Sequence, residues 1–456
     1  MDDNFNNARG NSFKSIWRLY FMLAYCLGIL PVNIENLLIY LPGATPSGIG
    51  LVTASRLAVG ICSVLFFGYF GEKLANKFSR KKIFLCTNLV WIISYGLISL
   101  SVNFYFYFIL AVISAIGAGA FIPIGFSILA DYYEPKERGS KYSLMAFGMI
   151  IGSGAGIIFG GLLGNYTGPL GWRFAYALGG ILGILAIISY YTSAIDPERG
   201  RVEPEFEDLN GQLNYNYKIT YHQLTQLLKK KSILAIFLYV LCSGIANATL
   251  SIWAIFYITT KINDINANFY ATTIYILAGI GAIPGTLLGG KFGDSLYHSG
   301  KLRGRIIISS VGVLIGVLCL LGFYLIPFKM ETTLDIVLSW IFFITIGFFG
   351  NFFASLSNGN IYAIYSEVCV PEARSTANSL NGLMSNIGGI IGNLIVSALI
   401  INDLELLPFA IALLLFIWLL SSILWIIPFI YYPKEYNECR ELMTKRRLEM
   451  ENKNKN

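Results

Sequence analysis

Long apolar runs without charged residues recur along the chain. No Asp, Glu, Lys or Arg occurs in residues 83–130. About 20 apolar residues suffice to cross a bilayer as a helix, so this stretch alone has room for two spans and a hairpin. All such runs together predict twelve spans, at 17–41, 48–72, 82–101, 105–130, 140–164, 171–193, 233–260, 269–290, 305–327, 335–366, 375–401 and 406–432. The predicted fold class is an all-α integral membrane protein, because hydrocarbon requires every backbone polar group to be paired internally and no alternating barrel pattern is present.

The loops between these spans alternate in charge. Basic residues cluster after the second, fourth and eighth spans: Lys73, Lys77, Arg80, Lys81, Lys82, Lys136, Arg138, Lys141, Lys291, Lys301, Arg303 and Arg305. The opposite side carries only Arg173, Lys261 and Lys329. Since Lys and Arg accumulate in cytoplasmic loops, both termini are predicted to lie in the cytoplasm.

One hydrophilic stretch, residues 194–232, divides the chain after six spans. It ends in Leu224, Leu227 and Leu228 followed by three lysines, a pattern typical of a short amphipathic helix at the inner lipid surface. The predicted domains are a six-helix bundle (1–193), a cytoplasmic linker (194–232), a second six-helix bundle (233–432) and a cytoplasmic tail (433–456).

The two predicted bundles share a sequence pattern at a constant offset of 236 residues. In the first half, Asp131, Pro135 and Arg138 precede Ser143-Leu144, Gly152 and Gly156. Their counterparts are Glu367, Pro371, Arg374, Ser379-Leu380, Gly388 and Gly392. This repeat predicts two bundles related by a pseudo-twofold axis along the membrane normal, as in transporters that rock around a central cavity.

The charged residues of the repeated loops favour an inner-face latch that breaks and reforms during gating. A carboxylate there can pair with a basic residue or cap a neighbouring helix start. The alternative is that these are ordinary topology-setting charges and helix ends; their occurrence at matched positions favours the latch. The predicted latch residues are Asn76, Arg80, Asp131, Arg138, Asp294, Glu367 and Arg374.

Composition and candidate chemistry argue against an enzyme. The 456 residues are 55% hydrophobic and 13% charged, about half the charge of an ordinary soluble chain. The net charge of +7 follows the topology and does not indicate a nucleic-acid partner. We expect no metal and no cofactor: the two histidines lie in loops, and no Gly-x-x-x-x-Gly-Lys-Ser/Thr loop for ATP is present.

The segment Leu74-Ala-Asn-Lys-Phe-Ser-Arg80-Lys-Lys resembles the inner-loop signature of the major facilitator superfamily. The resemblance extends to Asp131…Pro135…Arg138-Gly139, to Gly171-Trp172-Arg173 and to Pro371-Glu-Ala-Arg374, and it looks most like the spinster-related branch. It implies the major facilitator fold and a lipid or lysolipid cargo.

Several positions depart from the family pattern. Asn76 stands where an Asp is usual, whereas the second half keeps Gly290 and Asp294. Ala111 and Ala118 occupy the fourth-helix positions where spinster relatives often carry an Arg and a Glu implicated in proton coupling. These departures favour facilitation, or coupling through another group.

Two charged residues, Glu35 and Arg56, fall well inside predicted spans, where a charge costs about 2.5–3.5 kcal/mol or more. Three hypotheses remain open. Glu35 binds a proton or a substrate cation, in the slot of a cavity-facing Asp of spinster relatives. Arg56 holds an anionic substrate group. Or the two, at similar depths in neighbouring helices, form a structural pair.

Further candidates for a substrate cavity are polar or aromatic residues in mid-helix. Each is at least as well explained by hydrogen bonding between helices. They are Asn33, Asn247, Trp253, Tyr257, Tyr275, Asn351, Asn358 and Asn386.

The sequence therefore predicts a secondary transporter that moves a small organic or lipid-like solute by alternating access. A drug or metabolite efflux antiporter, or a transporter-derived sensor that binds ligand without turnover, are the alternatives. We expect a monomeric multi-pass protein of the plasma membrane, with protons as a possible second partner.

Overall fold

The computed structural model describes residues 3–133, 135–166, 168–196, 227–262, 264, 266–328, 332–401 and 403–453. Every regular element in these ranges is helical. Most of the predicted linker, including Leu224, lies outside the described residues. Its last part is described, and there residues 227–229 are helical with the Leu227 side chain buried.

Seven α-helices lie in the described residues of the first half, because one membrane crossing is divided in two. They are α1 (Asp3–Tyr40), α2 (Pro46–Lys77), α3 (Arg80–Ile98), α4 (Phe104–Gly119), α5 (Phe126–Tyr132), α6 (Pro135–Tyr166) and α7 (Gly171–Ser193).

The second half contains nine α-helices within its described residues, with three crossings divided. They are α8 (Lys231–Thr259), α9 (Ala267–Gly279), α10 (Ala282–His298), α11 (Gly304–Leu325), α12 (Thr333–Ser355), α13 (Ser357–Val368), α14 (Pro371–Leu399), α15 (Leu407–Ser421) and α16 (Ile426–Lys453).

Twelve stretches of the described residues are long and apolar enough to cross a membrane, as the apolar runs predict. The last of them, Leu404–Lys445, extends beyond the predicted end at 432. Helix α16 continues through Pro433 into the tail, whose Glu, Lys, Arg, Leu and Met residues have high helix propensity.

The fourth and tenth crossings are interrupted at matched positions. Ala120 separates α4 from a π-helical turn, Phe121–Gly125, which contains Pro123. Leu356 separates α12 from α13. These two residues are 236 apart, so the offset read from the loop motifs also relates the breaks in the helices.

The repeated glycines have the same packing role in both halves. A Cβ at Gly152 or Gly156 of α6 would overlap the carbonyl oxygens of Phe21 and Tyr25 in α1. A Cβ at Gly388 or Gly392 of α14 would overlap those of Leu241 and Ile245 in α8. Small residues thus allow backbone-to-backbone contact between the first and fifth helices of each half.

The described residues form two compact units. One comprises residues 3–196 together with 266–272, and the other comprises 227–264 and 273–453. Within the first unit, the Asn268 side chain donates to the carbonyl oxygen of Val32 at 2.9 Å.

Candidate functional site

Arg305, the second residue of α11, is the centre of a charged cluster in the second unit. Its Nη2 lies 2.7 Å from Oδ1 of Asp294 in α10. Its Nε lies 3.1 Å from Oε1 of Glu367 in α13. The guanidinium also faces the ring of Tyr297, with 5.2 Å from Cζ to the ring centroid. One largely buried arginine therefore bridges two of the predicted latch carboxylates.

Glu367 is held on both of its oxygens. Its Oε1 accepts from Arg305, and its Oε2 accepts from the Tyr432 hydroxyl of α16. The Arg305 Nη1 donates at 3.5 Å to Oδ1 of Asn360. A charge-assisted network of this kind connects α10, α11, α13 and α16 at one end of the second unit.

The charge pattern of the loops marks Arg305 only as a topology-setting residue, and no motif in the sequence singles out Tyr432. A signal for Arg305 was present, since it opens the third span of its half just as Arg80 opens the third span of the first.

Arg80 of the first unit has a different acidic partner. Its Nε lies 3.8 Å from Oδ1 of Asp196, and its Nη1 donates to the Ser127 hydroxyl at 3.3 Å. Asp196 also accepts from the backbone N–H of Lys81 at 3.4 Å. This carboxylate belongs to the segment after α7.

The remaining predicted latch side chains, those of Asn76, Asp131, Arg138 and Arg374, lie outside the part of the structure that is described. Their backbones are helical, in α2, α5, α6 and α14. Their role in a latch stays a prediction.

Arg56 of α2 is enclosed by tyrosines. Its Nη2 donates to the Tyr95 hydroxyl of α3, and its Cζ lies 5.6 Å from the centroid of that ring. Tyr95 stacks on Tyr176 of α7 at 6.0 Å, and the Tyr176 hydroxyl is 3.1 Å from that of Tyr107 in α4. The Arg56 Nε is buried without a hydrogen-bond partner among the described residues. An arginine so placed retains a donor for an anionic group.

Glu35 and Arg56 do not pair in this structure. The neighbour of Arg56 on α1 is Cys26, which lies within its electrostatic range. Glu35 is nine residues further along α1, about 13.5 Å of helix rise. The similar depths of Glu35 and Arg56 that were counted from the predicted span ends are therefore wrong. The half-buried Glu35 carboxylate has no ion pair or hydrogen bond with any described residue.

Three of the predicted cavity residues make contacts between helices instead. The fully buried Asn33 donates to the carbonyl oxygen of Gly160 at 3.2 Å and joins α1 to α6. The Trp253 indole N–H donates to Oδ1 of Asn393 at 3.2 Å. The Tyr257 hydroxyl donates to the carbonyl oxygen of Tyr324 at 3.0 Å. Each of these three side chains therefore joins two helices by a hydrogen bond.

Three other predicted residues, Asn247, Asn351 and Asn358, line one cavity of about 470 Å³ inside the second unit. Its walls come from α8, from α12 and α13 on either side of the Leu356 break, and from α14 and α15. Asn386 is exposed and is not part of this lining, and Tyr275 lies within electrostatic range of Tyr324 elsewhere in the unit. The proximity of the three asparagines could not be read from their spacing alone.

A family model for the Major Facilitator Superfamily matches residues 16–393. This match covers most of the chain. The chain belongs to the Major Facilitator Superfamily. The resemblance found in the inner-loop segments is thereby confirmed.

Individual relatives are distant. Protein spinster homolog 3 of Danio rerio is 22% identical over 418 residues, which cover 85% of this chain and 78% of the relative. Multidrug resistance protein 3 of Bacillus subtilis is 26% identical over 199 residues, which cover 40% of this chain and only 36% of that relative. The chain therefore spans little more than a third of the second relative's length.

The fold is that of solved transporters of the superfamily. A bacterial homologue of the human lysosomal transporter Spinster, crystallised in an inward-facing and unoccupied conformation, has a TM-score of 0.72 at 17% identity. The match covers 97% of this chain and 99% of that one. The major facilitator fold and the spinster likeness predicted from the sequence are both confirmed.

Proposed function

We propose that this protein is a secondary transporter that moves a small organic or lipid-like solute across a membrane by alternating access. The observation that carries the proposal is the superfamily match over residues 16–393. Twelve membrane-capable helices and the repeated glycine contacts support it, because a doubled bundle is the build of transporters that switch access.

The protein is a multi-pass membrane protein, and we place it in the plasma membrane with both termini in the cytoplasm. The positively charged loops support this orientation. In that orientation the Arg305 and Arg80 clusters lie at the cytoplasmic ends of their units. We propose that the transporter works as a monomer.

Arg56 and Glu35 are the proposed substrate or coupling residues of the first unit. Arg56 keeps an unused Nε donor and has no carboxylate partner among the described residues, which suits an anionic group of the solute. Glu35 has no counter-ion in the described chain, and an unpaired intramembrane carboxylate is a candidate proton carrier.

Counterflow in proteoliposomes tests the transport proposal. Vesicles loaded with unlabelled solute are expected to accumulate the labelled form transiently, with candidate solutes chosen first by a thermal-shift screen of lysolipids, sugars, organic acids and cations. Arg56→Ala and Glu35→Gln are each expected to lower the exchange rate at least tenfold without loss of folded protein. Binding without any counterflow would identify a sensor and overturn the proposal.

Drug efflux is the second candidate, favoured by the match to Multidrug resistance protein 3. Proton-driven extrusion of a fluorescent cation from vesicles separates the two. An antiporter acidifies or alkalinises the lumen as the dye moves, and that proton movement is expected to disappear in Glu35→Gln. Solute exchange with no proton movement would instead indicate facilitation.

A further inference from the structure

The cavity of the second unit is lined by amide and hydroxyl side chains. Asn247 and Ser243 belong to α8, and Asn381 and Ser385 belong to α14. Each pair is separated by four residues, so its members share one helix face. The broken tenth crossing adds Asn351, Ser355, Ser357, Asn358 and Tyr362, and Tyr239 of α8 and Trp418 of α15 complete the polar lining.

The helix break explains why so many polar groups meet here. Helix α12 ends at Ser355 and α13 begins at Ser357, with Leu356 between them. Several side chains near the break are already engaged. The Asn351 amide donates to the carbonyl oxygens of Gly347 and Ala278, at 2.9 and 3.3 Å. The Asn358 amide donates to the Thr286 hydroxyl at 3.4 Å.

Other polar groups of the lining are unused. The buried Ser355, the half-buried Ser385 and the exposed Asn247 have no hydrogen-bond partner among the described residues, so the Asn247 amide is accessible to a ligand. The indole Nε1 of Trp418, a residue only 3% exposed, makes no well-formed hydrogen bond, and the polar group beside it is the Tyr239 side chain of the same cavity. A buried N–H without a hydrogen bond costs about 1–3 kcal/mol, which a ligand oxygen in the cavity would recover.

The described lining contains no Asp, Glu, Lys, Arg or His. A charged ligand group would lose its hydration here without gaining a counter-ion, which is costly. Asn and Ser both donate and accept hydrogen bonds, as sugar hydroxyls do, whereas Trp only donates. A volume of about 470 Å³ falls in the range of small-molecule sites, roughly 300–1,000 Å³.

We propose that this cavity binds an uncharged polyhydroxylated group of the transported solute, such as a hexose ring, through Asn247, Ser385 and the Trp418 indole. The inference rests on the proposed transport function and names the substrate class. This substrate class differs from the lipid-like cargo implied by the spinster resemblance, because the described lining offers hydrogen-bonding groups rather than a continuous apolar surface.

Equilibrium binding to the purified full chain tests the assignment without requiring transport. Thermal shift and tryptophan fluorescence would be recorded with glucose, xylose, inositol and uridine as neutral probes. Glucuronate and glucosamine carry one charge each on a similar ring. At least one neutral probe is expected to stabilise the protein and change its fluorescence. In the Glu35→Gln/Arg56→Ala double variant, where those two residues supply no counter-ion, each charged analogue of a binding sugar is expected to bind at least tenfold more weakly.

Asn247→Ala is the decisive variant, because its amide has no partner to lose within the described protein. It is expected to raise the Kd about tenfold, the effect of one lost hydrogen bond of roughly 1.4 kcal/mol. Ser385→Ala is expected to act in the same direction. Asn437→Ala, an exposed asparagine of α16 outside the lining, serves as the matched control and is expected to leave the Kd unchanged.

Failure of every neutral probe to bind, equal binding of the charged analogues, or an unchanged Kd in Asn247→Ala would each overturn this assignment. None of these results would affect the transport proposal, which counterflow tests separately. A neutral probe that binds through Asn247 but shows no counterflow would keep the site and overturn transport.

Discussion

The two halves of the chain keep matched glycine contacts between helices, but differ in the carboxylates described around the arginine that opens their third span. Gly156 and Gly392 occupy matched positions, and they contact the carbonyl oxygens of Tyr25 and Ile245 on the first helix of their half. Arg80 and Arg305 also open equivalent helices. Arg305, however, has carboxylate oxygens at 2.7 and 3.1 Å, whereas the Arg80–Asp196 distance is 3.8 Å.

This difference in the carboxylates around the two arginines is accompanied by one sequence difference between the matched loops. Position 294 retains the Asp of the loop signature, while the matching position 76 is Asn. In the first unit, the carboxylate described near Arg80 is that of Asp196, which lies beyond α7. A close contact between two helix backbones requires glycine at the contact position itself. A guanidinium, in contrast, can pair with a carboxylate from any segment that lies nearby.

The largest expected effect is that of Arg305→Ala. Removing the arginine leaves Glu367 largely buried without its cation, and breaking a buried pair in this way costs about 3 kcal/mol. The midpoint of thermal unfolding in detergent is expected to fall by several degrees, and counterflow is expected to be lost. Lys301→Ala removes an exposed cation just before α11 and is expected to change neither quantity. Equal midpoints for the two variants would refute a stabilising role for the cluster.

Glu367→Gln and Asp294→Asn compare the two carboxylates around the same arginine. The Glu367 side chain is 11% exposed and that of Asp294 is 59% exposed. We expect Glu367→Gln to cost about 2 kcal/mol and Asp294→Asn at most about 0.5 kcal/mol, because water and salt screen the exposed partner. Asp294→Asn also gives the second half the residue of the first. Chemical unfolding of both variants measures the order, and a larger effect for Asp294→Asn would reverse our assignment of the main partner.

Arg80→Ala tests whether the first unit depends less on its arginine than the second. For the pair with the 28% exposed Asp196, the 3.8 Å distance predicts a contribution of about 1 kcal/mol, which Asp196→Asn measures separately from the other contacts of Arg80. Lys82→Ala, an exposed neighbour in α3, is the control for the loss of one positive charge. A loss in Arg80→Ala equal to that in Arg305→Ala would show that the two clusters are equivalent despite their geometry.

Lys261, between α8 and α9, is expected to have the smallest effect on stability. Unlike Arg305 and Arg80, it faces carbonyl oxygens and an aromatic ring. Its Nζ donates to the carbonyl oxygens of Tyr324 and Ile326 and lies 4.7 Å from the centroid of the Tyr257 ring. Burial outweighs these contacts and lowers the pKa of the amine from 10.5 to about 8.

The sign of the resulting pH dependence follows from proton linkage. Between pH 8 and 10.5 the unfolded chain binds the proton more readily than the folded one, so stability is expected to rise with pH across that window. Below pH 8 both forms are protonated and the destabilising effect of burial is fully present. Lys261→Gln is expected to remove this rise, which unfolding midpoints measured from pH 7 to 10.5 would reveal. A rise that persists in Lys261→Gln would assign it to another group.

The number of spans and the doubling of the bundle, with its repeated glycines, could be predicted from the sequence alone. Apolar run length is set by bilayer thickness, and each run reports its own crossing without reference to any partner. The 236-residue offset likewise depends only on the order of residues. The same offset also relates the helix breaks at Ala120 and Leu356, which helix propensity did not predict.

Only the tertiary structure decided which polar side chains meet. Glu35 and Arg56 lie at similar counted depths, yet Arg56 faces Tyr95 and the neighbourhood of Cys26, because axial offset and rotation between two helices are set by packing and not by span ends. The same holds for the asparagines. Asn33 joins two helices, whereas Asn247 points into a cavity. A 3.6-residue period assigns a side chain to one face of its own helix, but the helix that covers that face comes from elsewhere in the chain, 39 positions away for Arg56 and Tyr95 and 127 for Asn33 and Gly160.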